Sequence, residues 1–226
     1  MSVSKPLLHK KHRSMKKNKI IVKYSNDDDS SDMEIDEDDE DEQEKCLNVS
    51  YLDNKIYFRA SINEKTVEKL IKIIDKKNKE YKDYIDPLKV KVAEPQPLYL
   101  HITSYGGDLM SSFRAIDSIK KSYLPIFTVV DGYAASGATL MSIVGKRRFM
   151  TPNSYMLIHQ LSGGSIGKYW EIKDEYQNCE MWMNDIFMLY TQHTKISEEK
   201  LHEYLAHDLW WKCDRCIQEG LIDEIF

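Results

Sequence analysis

Ile126-Phe127-Thr128-Val129-Val130-Asp131-Gly132-Tyr133-Ala134-Ala135-Ser136-Gly137-Ala138 is the stretch from which the rest of the chain is read. Its β-branched opening, Ile126 to Val130, favours a buried strand, and Asp131-Gly132 is expected to break that strand. Ala134, Ala135, Gly137 and Ala138 let backbone pack closely around Ser136 and leave space for a substrate carbonyl, and the apolar run Thr139 to Val144 follows as a helix. A helix starting there points unbonded N–H groups at the serine, and such groups stabilise negative charge. That environment suits a nucleophilic serine, although a serine among small residues at a helix start is also an ordinary cap.

Working outward, Leu98 to Thr103 reads as a strand, Tyr105-Gly106-Gly107-Asp108 as a tight turn, and the segment to Lys121 as a helix with Leu109, Met110, Phe113, Ile116 and Ile119 buried. Strand, helix, strand, helix from Leu98 to Gly145 implies parallel strands with right-handed crossovers, so that loops after successive strands meet at one sheet edge. Gly106-Gly107 and Ser136 are therefore expected to be neighbours. Upstream, Lys55 to Arg59 reads as a strand. Asn63 to Asp75 reads as a helix with Val67, Leu70, Ile71 and Ile74 on one face, and Asp75 to Pro97 as a Lys-rich surface insertion.

Downstream, Lys146-Arg147-Arg148 leads to a strand, Tyr155 to His159, and then to a segment containing Gly163, Gly164 and Gly167. A long helix from about Lys168 to Thr191 carries Trp170, Tyr176, Trp182, Met183, Ile186, Phe187 and Tyr190, enough large apolar groups to suggest burial on more than one side, as against another subunit. Ser197 caps a short helix through Leu205, Asp208 to Trp211 reads as a short strand, Cys213 to Glu219 as a helix stopped by Gly220, and Leu221 to Phe226 as a last strand.

The 226 residues, 42% of them hydrophobic, suffice for one good-sized domain. Residues 1–26 hold eight Lys/Arg and no acid, residues 27–44 hold thirteen Asp/Glu and no base, and the remainder balances. The tail 1–44 is expected to be disordered, with the domain spanning 45–226; its near-neutral charge argues against a nucleic-acid-binding function. Four cysteines, Cys46, Cys179, Cys213 and Cys216, do not make a disulfide scaffold, and the single Cys213/Cys216 CxxC lacks the second half of a zinc site. With no apolar run near the roughly 20 residues a membrane requires and no signal-peptide core, a soluble protein of a reducing compartment is expected, cytoplasmic unless the basic arm targets an organelle.

Serine hydrolysis needs a base for the Ser proton, a carboxylate to orient that base, and N–H donors for the oxyanion. Ser136, His159 and Asp208, each at the end of an expected strand or turn, offer these, with Gly107 and Gly137 as backbone donors. The order Ser, His, Asp differs from chymotrypsin-like, subtilisin-like and α/β-hydrolase enzymes. It resembles that of the Clp protease proteolytic subunit. The resemblance rests on Ile102-Thr103-Ser104-Tyr105-Gly106-Gly107, on Gly132 to Ala138, on Thr151-Pro152-Asn153-Ser154 leading to Ile158-His159-Gln160, and on Glu219-Gly220-Leu221-Ile222-Asp223, and it covers about residues 55–226.

This resemblance implies an α/β, crotonase-like fold of repeated β-β-α/βα units with a protruding handle helix. It also implies a serine endopeptidase without metal or organic cofactor, acting on peptides or unfolded proteins in stacked homo-oligomeric rings that dock an AAA+ unfoldase. Ser136 then takes the place of the nucleophile, His159 of the base and Asp208 of the orienting acid, with Asp223 as the nearest rival acid. Gly107 and Gly137 resemble the oxyanion donors. Gly163 and Gly164 fall where the family has a strand that pairs with extended substrate.

Departures stand beside the likeness. Tyr105 replaces the usual proline before the two glycines, Leu161 replaces the one after His159-Gln160, and the Ser136 to His159 loop is about two residues short, all by comparison with the family pattern. His101 stands where an aromatic usually lines the unfoldase-docking pockets, and the family's N-terminal pore loop is not recognisable. Two other readings remain: a structural or regulatory ring subunit with little chemistry, and a different crotonase-like enzyme acting on acyl-CoA thioesters or as a Ser/Lys signal-peptide peptidase.

Overall fold

The structure, a computed structural model, describes residues 48–88 and 95–226. The charged tail 1–44, the expected domain start at Lys45, and Cys46 lie outside the described residues.

β1 (Val49–Leu52) turns back antiparallel onto β2 (Lys55–Phe58), and β2 pairs in parallel with β3 (Leu98–Ser104), which pairs in parallel with β4 (Ile126–Ala135). Between β2 and β3 runs α1 (Glu64–Ile85), and between β3 and β4 runs α2 (Leu109–Lys121). The helices start where their caps dictate: Asn63 Oδ1 accepts from Thr66 N–H and Thr66 Oγ1 accepts from the Asn63 backbone N–H, while Asp108 Oδ1 accepts from Ser111 N–H. The parallel strands and their helical crossovers are those expected from the alternation in the sequence.

β4 is one strand that changes partners. Its first half pairs with β5 (Arg147–Met150) and its second half, Tyr133 to Ala135, with β6 (Tyr155–Ile158), both in parallel. The expected break at Asp131-Gly132 is instead a kink within a continuous strand. Gly132 sits at φ 89°, Thr103 Oγ1 donates to the Asp131 carbonyl, and Ser154 Oγ accepts the Gly132 N–H. The glycine supplies the left-handed backbone that lets the strand fork. β5 was not anticipated, because Lys146-Arg147-Arg148 reads as a linker; its two arginines point to the sheet margin, where they bind Glu224 and Asp223 of the last segment.

After β6 come α4 (Tyr169–His193), α5 (Glu198–Leu205), β7 (Leu209–Trp211), α6 (Cys213–Gln218) and β8 (Glu224–Ile225). β7 lies antiparallel on β6, and β8 parallel on β5. The core fills the space between the sheet and α1, α2 and α3 (Gly137–Ile143), with Phe58, Leu70, Ile74, Leu100, Ile102, Met141 and Met156 fully buried.

Three expectations need correction. α1 continues ten residues beyond Asp75, so the supposed insertion begins as helix; Asn78 Oδ1 accepts from Leu124 N–H, and Glu80 pairs with Lys76 and Lys77. Met110 is exposed, its place on α2 taken by Ser111, Ser112 and Ala115. The final strand is only Glu224–Ile225. On α4 only Ile186 and Tyr190 are buried within the chain, while Tyr169, Trp170, Ile172, Tyr176, Met181 and Met188 are exposed. Cys213 and Cys216 are buried free thiols; burial raises both, Cys216 to about 12, which disfavours the thiolate that metal or redox chemistry requires. Among the described residues no helix is long and apolar enough to cross a membrane.

Candidate active site

Parallel pairing sends the loops after β2, β3, β4 and β6 to one edge of the sheet, and the site is assembled there. β4 ends at Ala135, paired with Leu157 of β6, and Ser136 follows with its N–H bonded to the Leu157 carbonyl at 3.0 Å. Ser136 has φ 55° and ψ −131°, a left-handed conformation rare for a residue with a side chain. Thr139 holds this turn from the helix side, with its N–H 2.9 Å and its Oγ1 2.6 Å from the Ser136 carbonyl.

The Gly106-Gly107 turn lies against Ser136. Gly106 (φ 95°) approaches so closely that a Cβ there would stand 2.7 Å from the Ala135 carbonyl and from Ser136 Cβ, and 3.0 Å from the Gly137 nitrogen. Gly107 (φ 148°) presses on the backbone of Ile62, where any Cβ would collide with the Ile62 carbonyl oxygen. Ile62 clamps the turn: its N–H bonds the Gly106 carbonyl and its carbonyl accepts from Asp108 N–H, both at 2.8 Å. Gly106 N–H goes to Ser104 Oγ at 3.1 Å. These bonds use the amides of Gly106 and Asp108 and skip that of Gly107. Across the gap, Gly137 is the first residue of α3, where helical amides have no intrahelical acceptor. Among the described backbone hydrogen bonds, neither the Gly107 nor the Gly137 N–H has an acceptor, and both residues line one cleft with Ser136.

His159 follows β6 directly. The antiparallel register of β6 on β7 pairs Ile158 with Leu209, so the next position outward sets His159 opposite Asp208. Their closest approach, His159 Nδ1 to Asp208 Oδ1, is 3.4 Å; the histidine side chain is 21% exposed and the aspartate 78%. Gln160 N–H bonds the Leu205 carbonyl at 2.7 Å, which fixes the backbone beyond the histidine to the end of α5. A cleft of about 60 Å³ is lined by Gly107, Ser136, Gly137 and His159, with Leu109, Leu140, Leu161, Ile186 and Tyr190 as its apolar wall.

Asp223, the rival acid, lies away from this cleft. It accepts from the Arg148 backbone N–H at 2.8 Å and from the guanidinium Nε and NH2 groups at 3.2 and 2.5 Å. Burial pushes its carboxyl up, but the Arg148 bonds and charge outweigh this and hold it below the usual carboxylate range. Gly163 and Gly164 do not form the strand suggested by resemblance. The segment from His159 to Lys168 has no strand, and a Cβ at either glycine would meet nothing within 4 Å.

Three contributors escaped the sequence reading. Ile62 is one, and the rule that loops after parallel strands share an edge could have found it, since it follows β2. Thr139 and Tyr190 are the others: the Tyr190 hydroxyl lies 2.6 Å from Thr139 Oγ1, and both side chains are buried. Nothing in the spacing of α4 marks Tyr190 apart from its other aromatics.

The family model for Clp protease matches residues 51–226. ATP-dependent Clp protease proteolytic subunit 1 of Chlamydia trachomatis serovar D is 30% identical over 175 residues, covering 76% of this chain and 85% of that protein. Proteolytic subunit 2 of Treponema denticola is 31% identical over 140 residues, 61% of this chain and 70% of that protein. The solved structure of a ClpP1 mutant from Listeria monocytogenes superposes with a TM-score of 0.65 at 21% identity, over 76% of this chain and 91% of the other, which supports the shared fold. The match across the whole sheet and its edge loops places the chain in a known family: it belongs to the Clp proteases, as a relative of their proteolytic subunits.

Proposed function

We propose that the chain is a serine endopeptidase. The observation that carries this reading is that Ser136, His159, Gly107 and Gly137 line one cleft. Ser136 Oγ attacks the substrate carbonyl, His159 takes its proton and returns it to the leaving amine, and Asp208 orients the imidazole through Nδ1. The amides of Gly107 and Gly137 receive the oxyanion, and water resolves the acyl-enzyme by the same proton path. This chemistry calls for no metal or organic cofactor. The apolar wall receives the substrate side chain, and the exposed Gly163-Gly164 segment beyond His159 offers open backbone to an extended peptide.

The exposed aromatics and methionines of α4 support assembly with further copies into rings, and folded substrates would then need an ATP-driven unfoldase. Labelling with a fluorophosphonate after native sizing tests the proposal. Wild-type protein takes up the probe in a particle several-fold larger than the monomer, Ser136→Ala does not, and Asp208→Ala is slowed. A large particle that never labels favours the alternative, a ring subunit with little chemistry, and the exposure of Asp208 is the observation on that side.

A further inference from the structure

We infer that Tyr190 and Thr139 are positioning residues for the nucleophile, a relay by which α4 holds the strained Ser136 turn in place. The inference deepens the serine-peptidase reading and rests on it. Thr139 has one hydroxyl hydrogen, and geometry assigns it to the Ser136 carbonyl, 2.6 Å away. Its oxygen is then left to accept, and the Tyr190 hydroxyl at 2.6 Å is the donor. Burial also raises the Tyr190 phenol, so that it keeps its proton. The chain of bonds therefore runs in one direction, Tyr190 O–H to Thr139 O–H to the Ser136 carbonyl.

Ser136 needs such a hold. Its left-handed φ of 55° is disfavoured for a residue with a side chain and persists only where its surroundings fix it. The strand side supplies one bond, Ser136 N–H to Leu157. On the helix side the carbonyl takes two bonds from Thr139, and Tyr190 fixes the rotamer from which the second is made. Tyr190 and Ile186 are the buried residues of α4 and both line the cleft, so the root of the long helix and the reactive serine share a wall. A displacement of α4 of a fraction of an ångström would loosen the Thr139 hydroxyl and, through it, the aim of Ser136 Oγ.

The test separates positioning from packing. Thr139→Val leaves the Tyr190 hydroxyl buried without an acceptor, and its unfolding temperature falls. Combining Thr139→Val with Tyr190→Phe removes both polar groups, so the unfolding temperature recovers towards wild type. Fluorophosphonate labelling of Ser136 stays about tenfold slower in both, the size expected for one hydrogen bond lost from the turn. Thr139→Ser, which keeps the hydroxyl, labels within about twofold of wild type by the same reasoning. A double variant that labels at the wild-type rate overturns the relay. Hydrogen exchange at the Thr139 amide, relative to Val129 in β4, reads the turn without catalysis and is expected to quicken in the double variant. If the wild type itself does not label, the peptidase reading fails, and unchanged Thr139 exchange then overturns the relay separately.

Discussion

Around Ser136 the backbone has no spare room. Gly106 and Gly107 are both in left-handed conformations, one against Ser136 and Gly137, the other against Ile62. Around His159 the reverse holds: Asp208 is 78% exposed, and a Cβ at either of the two glycines beyond the histidine would meet nothing within 4 Å. On the proposed serine-peptidase reading, the difference follows from what each half must do. Donors for a developing oxyanion have to be fixed before the charge appears, because their value lies in not reorganising. An imidazole needs one well-placed partner, and the chain that runs beside it can be completed by substrate or by a neighbouring copy.

The largest effect is expected where the fit is tightest. Gly107→Ala puts a methyl group into the Ile62 carbonyl at a φ that side chains avoid, so either β2 or β3 must shift. A stability loss of about 3 kcal/mol is expected, or roughly 10 °C in the unfolding temperature of a domain this size, measured by differential scanning calorimetry. Unaltered stability would mean that the Ile62 clamp is softer than its two hydrogen bonds indicate.

Next comes a pair of acids that divide stability from reactivity. Asp223→Asn removes a carboxylate held by Arg148, and at neutral pH it should cost up to about 1 kcal/mol, solvent at its exposed edge screening the rest. The folded-state pKa of Asp223 lies below its unfolded value, so this stabilisation is present above the ordinary carboxylate range. It is lost as pH falls through the folded value. Unfolding curves of wild type and variant should therefore converge in acid, and a gap that widens there would refute the ion pair as its source. Asp208→Asn should change stability by less than about 0.5 kcal/mol, as an exposed side chain with one contact. It should nonetheless slow fluorophosphonate labelling without slowing folding. Loss of stability without loss of labelling would exchange the two roles.

Much of the tight half was legible in the sequence, because it is local: Gly106-Gly107 and Ser136 follow apolar, β-branched runs, and parallel topology brings their loops together. Asp208 could be named from the sequence as an acid at a strand end and by resemblance, but its register opposite His159 depends on the pairing of β6 with β7, which the sequence does not display. The continuation of β4 through Gly132 was hidden for a similar reason. A glycine that breaks a strand and one that lets it fork look alike until two partners, β5 and β6, are seen on either side of it. α1 outran its expected end because its last turns are held by Glu80 with Lys76 and Lys77 and by Asn78 reaching Leu124, none of which extends the apolar stripe.

The smallest effect belongs to the open half. Gly163 and Gly164 are not among the described glycines with left-handed φ, and a Cβ at either meets no atom within 4 Å. Alanine at these positions removes backbone freedom chiefly from the unfolded chain, so Gly163→Ala should stabilise by about 0.5 kcal/mol where Gly107→Ala destabilises several-fold more. Thermal unfolding checks the sign. Peptide turnover checks the meaning: if this segment is where extended substrate lies, the added methyl raises KM and leaves kcat near wild type, because it alters binding along the cleft and not the Ser136 turn. A fall in kcat alone would instead show that the open segment acts on the tight half, and the division between them would have to be redrawn.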